Sequence, residues 1–118
     1  LKVFFFEKHK PSINTLEKNI QNLNCQSKSK VFREDVFSIF KNKKILKKRF
    51  DLIFLDPPFK EKNINFFIDN LSSKKILSNK GIIIIHRNKK IKEEYSENLK
   101  ILRIENYGIS KIIFAKIN

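Results

Sequence analysis

Short apolar runs alternate along this 118-residue chain with segments whose apolar residues recur at spacings of three and four, and the last two runs follow one another across a single turn. The first pattern predicts strands alternating with helices, hence a parallel sheet with helices on its faces; the second predicts a terminal antiparallel hairpin. The expected fold class is therefore α/β, a doubly wound sheet with an antiparallel tail, joined by right-handed crossovers. The length suits one small domain with a single core.

Each element follows from its own stretch. Val3 to Phe6 is a continuous apolar run closed by Glu7, as in a strand covered on both faces. Pro11 and Ser12 open a helix that carries Ile13, Leu16, Ile20 and Leu23 on one face. Val31 and Phe32 form a second strand ending at Asp35, and Val36, Phe37, Ile39 and Phe40 read as the buried face of a second helix. The basic segment KNKKILKKR, residues 41–49, leads into a third strand, Phe50 to Leu55. Ile64, Phe67, Ile68 and Leu71 mark another helical face, Gly81 opens a fourth strand through Ile82 to Ile85, and the polar stretch Lys89 to Leu99 is expected to be helical. Leu99 to Ile104 and Ile109 to Ile117 then form the hairpin around Asn106, Tyr107 and Gly108.

Composition narrows the function classes. The apolar runs are too short to cross a bilayer or to form a signal-peptide core, which predicts a soluble, cytoplasmic protein. Cys25 is the only cysteine, so an intramolecular disulfide framework and a cysteine-based zinc cluster are excluded. A net charge of +14 points to a polyanionic partner such as nucleic acid. Yet 22 of the 26 basic residues are lysine, set among many Asn, Ile and Phe, as AT-rich coding would produce whatever the function. Both readings stay open.

In a sheet of this class ligands bind beyond the carboxyl ends of the strands, and Glu7, Asp35, Asp56 and His86 each lie at or just past such an end. The stretch FDLIFLDPPFK carries the most chemistry. Pro57 and Pro58 have no N–H and hold φ near −65°, so the turn is stiff and its oxygens are kept out of helix or ladder. The Asp56 carboxylate beside main-chain carbonyls makes a row of acceptors that could receive both hydrogens of an exocyclic amino group and aim its nitrogen lone pair at an electrophile. Phe59 offers a flat face for a stacked base. Asp56 could instead cap the following helix while the prolines merely end the strand.

Asp-Pro-Pro-Phe fits the signature of amino-group methyltransferases, an Asp, Asn or Ser followed by two prolines and an aromatic residue. With its flanks, DPPFK resembles the RsmD-type enzymes, which methylate guanine N2 in small-subunit ribosomal RNA. FFFEKHKPSINTLEKNI is similar to that family's second strand and helix, VFREDVFSIF to its third strand and following turn, and YGISKIIFAKI to its closing hairpin, so nearly the whole chain is covered in the correct order. The resemblance implies a Rossmann-like sheet of the class I methyltransferase type, S-adenosylmethionine as cofactor and no metal. It also implies ribosomal RNA or the small ribosomal subunit as partner to a monomeric enzyme.

By that resemblance Asp56, Pro57, Pro58 and Phe59 form the catalytic turn. Glu7 would accept hydrogen bonds from the cofactor ribose, and Asp35 with the Val36 amide would hold the adenine. Without the family context Glu7 is a solvated acid ending a strand and Asp35 an N-cap, a role compatible with the first. Lys43, Lys44, Lys47 and Lys48, with Lys60 and Lys62, would contact RNA phosphates; otherwise they are a solvated face.

The chain also departs from the family. The glycine-rich loop and the first strand, which sits between the second strand and the DPPF strand, are absent, and only Gly81 and Gly108 occur. Together with the opening at Leu1, this reads as residues 1–118 forming the carboxyl-terminal part of one methyltransferase domain, with half the cofactor pocket unbuilt and the isolated chain inactive. Where the family often carries an acid, IIII is followed by His86 and Arg87, and His86 is expected to be a rim residue satisfied by solvent. A DNA adenine methyltransferase and a non-catalytic RNA-binding remnant remain alternatives.

Overall fold

The computed structural model describes residues 1–118, which divide into two compact units, Leu1–Lys41 and Asn42–Asn118. In the amino-terminal unit β1 (Val3–Phe6) pairs in parallel with β2 (Ser29–Phe32), in the register Phe4↔Lys30 and Phe6↔Phe32. Directly opposed residues share a face. Phe6 stacks on Phe32 with ring centroids 4.6 Å apart, Phe4 tilts onto the same ring, and the Lys30 ammonium lies over it at 5.0 Å. The strands are joined through α1 (Lys10–Asn22), where Pro11 occupies the first turn and so removes an N–H that has no helical partner there. Ile13 is buried as expected, but Leu23 lies past the helix end and is exposed.

After β2 the expected α-helix is a 3₁₀ helix, Val36–Lys41, with Ile39 as its buried residue. Its apolar positions 36, 37, 39 and 40 satisfy either helical period in so short a span.

The carboxyl-terminal unit holds a four-stranded sheet of order β3-β4-β6-β5: β3 (Phe50–Leu55), β4 (Leu77–Asn88), β5 (Leu99–Tyr107) and β6 (Ser110–Ile117). β3 and β4 are parallel, whereas β4–β6 and β6–β5 are antiparallel. The sheet is thus mixed, with the expected hairpin as its tail. Gly108 takes φ +55° at the first of the two loop positions, a conformation that glycine adopts without steric cost. β4 begins earlier than expected: Leu77 already pairs with Phe50, and the register shifts before Leu52↔Ile82. Gly81 lies inside this irregular stretch, where a Cβ would approach Leu77 Cγ to 2.6 Å and the Phe50 carbonyl to 3.0 Å. The polar residues 78–80 concealed the strand's start.

The core lies on one face of this sheet. Ile83, Ile85, Ile113 and Ala115 are fully buried, with Ile85 opposite Ile113 and Ile83 opposite Ala115. α3 (Ile64–Ser73) supplies Ile64, Phe67, Ile68 and Leu71, the four residues whose spacing marked its inner face. The other face differs from the expectation of a fully covered strand: Leu52 and Phe54 of β3 are 57% and 58% exposed. No helix is long and apolar enough to cross a membrane.

Residues 89–98 are not helical. Their polar groups are bound outward to neighbouring elements instead of to a helix of their own. The Lys89 amide donates to the Ile109 carbonyl, the Ser96 amide to Asn65 Oδ1, and Asn65 Nδ2 to the Glu94 carbonyl. Ser96 and Asn98 both donate to Asp69 of α3, which holds the Asp69 carboxyl below its usual range. Glu93 turns inward to Arg87, whose side chain is 1% exposed, and Tyr95 donates its hydroxyl to Glu93 Oε2 at 2.6 Å. A helix over 89–99 would have to give up these bonds.

Burial pushes the Glu93 carboxyl up, but hydrogen bonds from Arg87 and Tyr95, with the charges of Arg87 and Lys111, outweigh it and leave the group below its ordinary value. Burial and the bond to Glu93 push Tyr95 strongly up. Glu93→Ala leaves the Arg87 charge buried without its carboxylate and is expected to destabilise the chain by about 3 kcal/mol. The urea midpoint at unchanged slope measures this. Because the folded value of Glu93 is lowered, its contribution is complete above about pH 4.3 and is lost as pH falls through that lowered value. The Glu93→Ala variant should lack this part of the acid sensitivity.

Candidate functional site

β3 ends at Leu55 and delivers Asp56 to the carboxyl edge of the parallel pair, followed by Pro57, Pro58 and a turn at Phe59 and Lys60. Asp56 does not cap the next helix, since α3 starts only at Ile64 and its N-cap is Asn63. The Asp56 side chain is instead 57% exposed, and its Oδ1 lies 2.8 Å from His86 Nδ1. His86 Nε2 lies 2.8 Å from Ser110 Oγ. His86 is therefore not a solvent-satisfied rim residue, because both ring nitrogens are engaged within the unit. Phe59 stands edge-on to the His86 ring, with centroids 5.8 Å apart, and is itself 40% exposed.

The row of open main-chain acceptors is shorter than the motif suggested. Arg87 donates from Nη1 to the Pro58 carbonyl at 3.0 Å and from Nη2 to the Phe59 carbonyl at 2.9 Å, while the Glu61 amide also donates to Pro58. These bonds stiffen the turn beyond what its prolines supply. The Asp56 carboxylate of the same turn stays exposed.

Lys60 and Lys62 are exposed and line a cleft of about 430 Å³ beside Phe59, together with Ile64, Ile91 and Tyr95. Asp56 does not line it. Lys43, Lys44, Lys47 and Lys48 sit in and just after the short α2 (Lys43–Leu46), all exposed, with Ile45 buried beneath them. Asn42 caps this helix by accepting from the Lys44 and Ile45 amides at 3.0 and 3.2 Å. The fold thus presents four ammonium groups in and directly after one short, anchored helix.

The other candidates belong to the amino-terminal unit. Glu7 Oε1 accepts from the Lys8 and His9 amides at 3.0 and 2.9 Å, which fixes the carboxylate where β1 ends. Asp35 Oδ1 accepts from the Phe37 amide at 2.9 Å, the N-cap geometry, and Oδ2 accepts from Lys8 Nζ at 2.9 Å. The Phe37 amide first, and then Lys8, hold the Asp35 carboxyl below its usual value. Lys8 thereby ties the ends of β1 and β2 together, and Val36 follows directly on Asp35 at the start of its 3₁₀ helix.

Sequence reasoning did not assign Ser110, Glu93 or Tyr95 to the motif's surroundings. Arg87 was noticed only as a departure. The available clue was periodicity: His86 and Arg87 follow buried Ile85 on alternate faces of β4, so one must point away from solvent. No group of three or more His, Cys, Asp or Glu side chains is arranged to hold a metal.

The chain is 24% identical over 113 residues to "Putative rRNA methyltransferase YlbH" of Bacillus subtilis, covering 95% of this chain and 61% of that protein. It is 33% identical over 69 residues to "Uncharacterized methylase RP545" of Rickettsia prowazekii, covering 58% and 29% respectively. It therefore spans less than two thirds of the length of either relative. Among solved structures, a conserved hypothetical protein from Streptococcus pyogenes superposes with a TM-score of 0.84 at 25% identity, covering 97% of this chain and 70% of that one. A putative methylase, HI0767, from Haemophilus influenzae gives 0.76 at 28% identity, covering 97% and 71%. These neighbours share the Rossmann-like fold expected from the sequence. The family model described as Conserved hypothetical protein 95 matches residues 1–116, and by that match the chain belongs to this family, the RsmD-type methyltransferases.

Proposed function

We propose that the chain is part of an S-adenosylmethionine-dependent N-methyltransferase acting on the N2 amino group of a guanine in 16S ribosomal RNA. The observation that carries this reading is the Asp56 carboxylate, exposed at a strand's carboxyl end on a turn whose backbone is held from behind by Arg87. The reading takes both units as parts of one methyltransferase domain, in a monomeric cytoplasmic enzyme whose partner is the small ribosomal subunit.

S-adenosylmethionine, when bound, supplies an electrophilic methyl carbon on a sulfonium. Support for the cofactor comes from Glu7, whose Oε1 is fixed by two backbone amides while Oε2 remains to accept from a ribose hydroxyl. Asp35 is already bound at both oxygens, but each carboxylate oxygen has a second lone pair, so it could also accept from the adenine amino group, with the Val36 amide beside it.

At the other end of the reaction, Asp56 Oδ2 accepts a hydrogen from the exocyclic amine and turns the nitrogen lone pair out of the ring plane. The exposed ring of Phe59 receives the base by stacking, worth about 1–3 kcal/mol. Asp56 need not remove a proton before attack; its role is orientation and stabilisation of the positive charge that develops on the nitrogen, which would form its bond to the methyl carbon as the C–S bond breaks toward sulfur and then release its extra proton to solvent. Lys60 and Lys62, with the α2 lysines, hold phosphates while the base is turned out of its stack.

In the full-length protein Asp56→Ala is expected to lower turnover by about 100-fold or more with cofactor affinity unchanged. Glu7→Ala should instead weaken cofactor binding by about 10- to 100-fold, the loss of one or two charge-assisted hydrogen bonds. Single-turnover methylation of 16S RNA and calorimetry with S-adenosylmethionine separate the two effects. Wild-type turnover in Asp56→Ala, or methylation of DNA adenine in place of RNA, would overturn the reading.

The lysines give an independent expectation. Replacing Lys43, Lys44, Lys47 and Lys48 together with Gln should reduce the slope of log affinity against log salt by about 3, at roughly 0.7 per lost contact to single-stranded RNA. The methylated nucleotide should stay the same, because phosphate contacts position the substrate while the DPPF turn selects the amine. Binding isotherms across a salt series, with nucleotide mapping, measure both.

A further inference from the structure

The two residues at the end of β4 address the DPPF turn from opposite faces of the sheet. Arg87 reaches it from the buried side through the Pro58 and Phe59 carbonyls, and His86 reaches it from the other side through the Asp56 carboxylate. The prolines constrain backbone dihedrals and leave the rotation of the Asp56 side chain free. His86 is the side chain in the unit that hydrogen-bonds the Asp56 carboxylate.

The tautomer follows from the partners. A carboxylate accepts only, so the hydrogen bond at Asp56 Oδ1 requires the proton on His86 Nδ1. Nε2 of the neutral ring then carries a lone pair, and Ser110, whose Oγ lies 2.8 Å away at the start of β6, donates to it. The order is Ser110 O–H to His86 Nε2, then His86 Nδ1–H to Asp56 Oδ1. Oδ1 is thereby filled, and Oδ2 is the oxygen left for the substrate.

We infer that His86 is a positioning residue for methyl transfer: locked by Ser110 in its Nδ1–H tautomer, it fixes the rotamer of Asp56 so that one chosen carboxylate oxygen faces the amine. This inference rests on Asp56 being the amine acceptor. In this reading His86 acts on the amine only through Asp56. Phe59, edge-on to the same imidazole, is referred to the same ring, so the stacking surface and the acceptor share one reference point.

The test uses side chains that imitate one ring nitrogen each. Asn places an N–H near the position of Nδ1, and Gln places one near Nε2. In the full-length protein His86→Ala is expected to lower kcat by about 10- to 100-fold, the scale of misplacing a reacting group, with S-adenosylmethionine affinity unchanged. His86→Asn should recover most of the loss, His86→Gln should not, and Ser110→Ala should show a smaller loss than His86→Ala. A purely structural role would make recovery follow thermal stability instead of the identity of the restored nitrogen, and that pattern would overturn the inference. A second measurement needs no turnover: nitrogen-15 NMR of the wild-type histidines should show His86 protonated at Nδ1 when neutral, and an Nε2–H tautomer would overturn it. Wild-type kcat in His86→Ala, with Asp56→Ala inactive, would reject this inference while leaving the proposed function standing; an active Asp56→Ala would reject both.

Discussion

A guanidinium shielded from water must find an anion and occupy its remaining N–H groups, or its burial costs several kcal/mol. Arg87, carried by β4, meets that demand with the Glu93 carboxylate six residues on and with the carbonyls of Pro58 and Phe59, 29 and 28 residues away. The irregular stretch 89–98 and the DPPF turn at 56–60 are consequently tied to one side chain. Five guanidinium hydrogens in a fixed plane suit this better than a lysine ammonium could, since they reach carboxylate and carbonyls together. Glu93 is in turn held by Tyr95, so the buried charge is both neutralised and saturated with hydrogen bonds.

That arrangement changes how the DPPF turn is understood. Its prolines restrict φ and remove donors, but stiffness alone does not aim a turn at anything. The aim comes from outside the motif, from Arg87 on one face and from the His86–Ser110 pair on the other. Rigid elements positioning a reactive group through supporting hydrogen bonds is the general requirement for catalysis by orientation. The same logic operates in the amino-terminal unit on a smaller scale, where Lys8 joins the ends of β1 and β2 by bonding Asp35 and its own amide holds Glu7.

The basic charge is distributed in a way that composition could not reveal. Lysine bias would scatter ammonium groups over the whole surface. The structure does place lysines widely, yet Lys43 and Lys44 lie in α2, with Lys47 and Lys48 directly after it, on a helix capped by Asn42 and anchored by the buried Ile45.

The α/β class, the inner face of α3, the terminal hairpin and the placement of Glu7, Asp35 and Asp56 at strand ends were all legible in the sequence. All of these follow from local periodicity, turn chemistry and the polar residue that stops an apolar run. It misjudged 89–99, because a polar stretch without Gly or Pro is compatible with a helix until outside partners claim its amides. It misjudged the span 36–41 because six residues are too few to separate a 3₁₀ period from an α period. The start of β4 was hidden because the polar residues 78–80 and the irregular register between Leu77 and Ile82 broke the alternation. That His86 faces Asp56 and Ser110 while Arg87 turns under the DPPF turn was visible only in the folded chain. The physical reason is that these partners are 24 to 30 residues apart in sequence, and pairing register alone brings them within hydrogen-bonding distance.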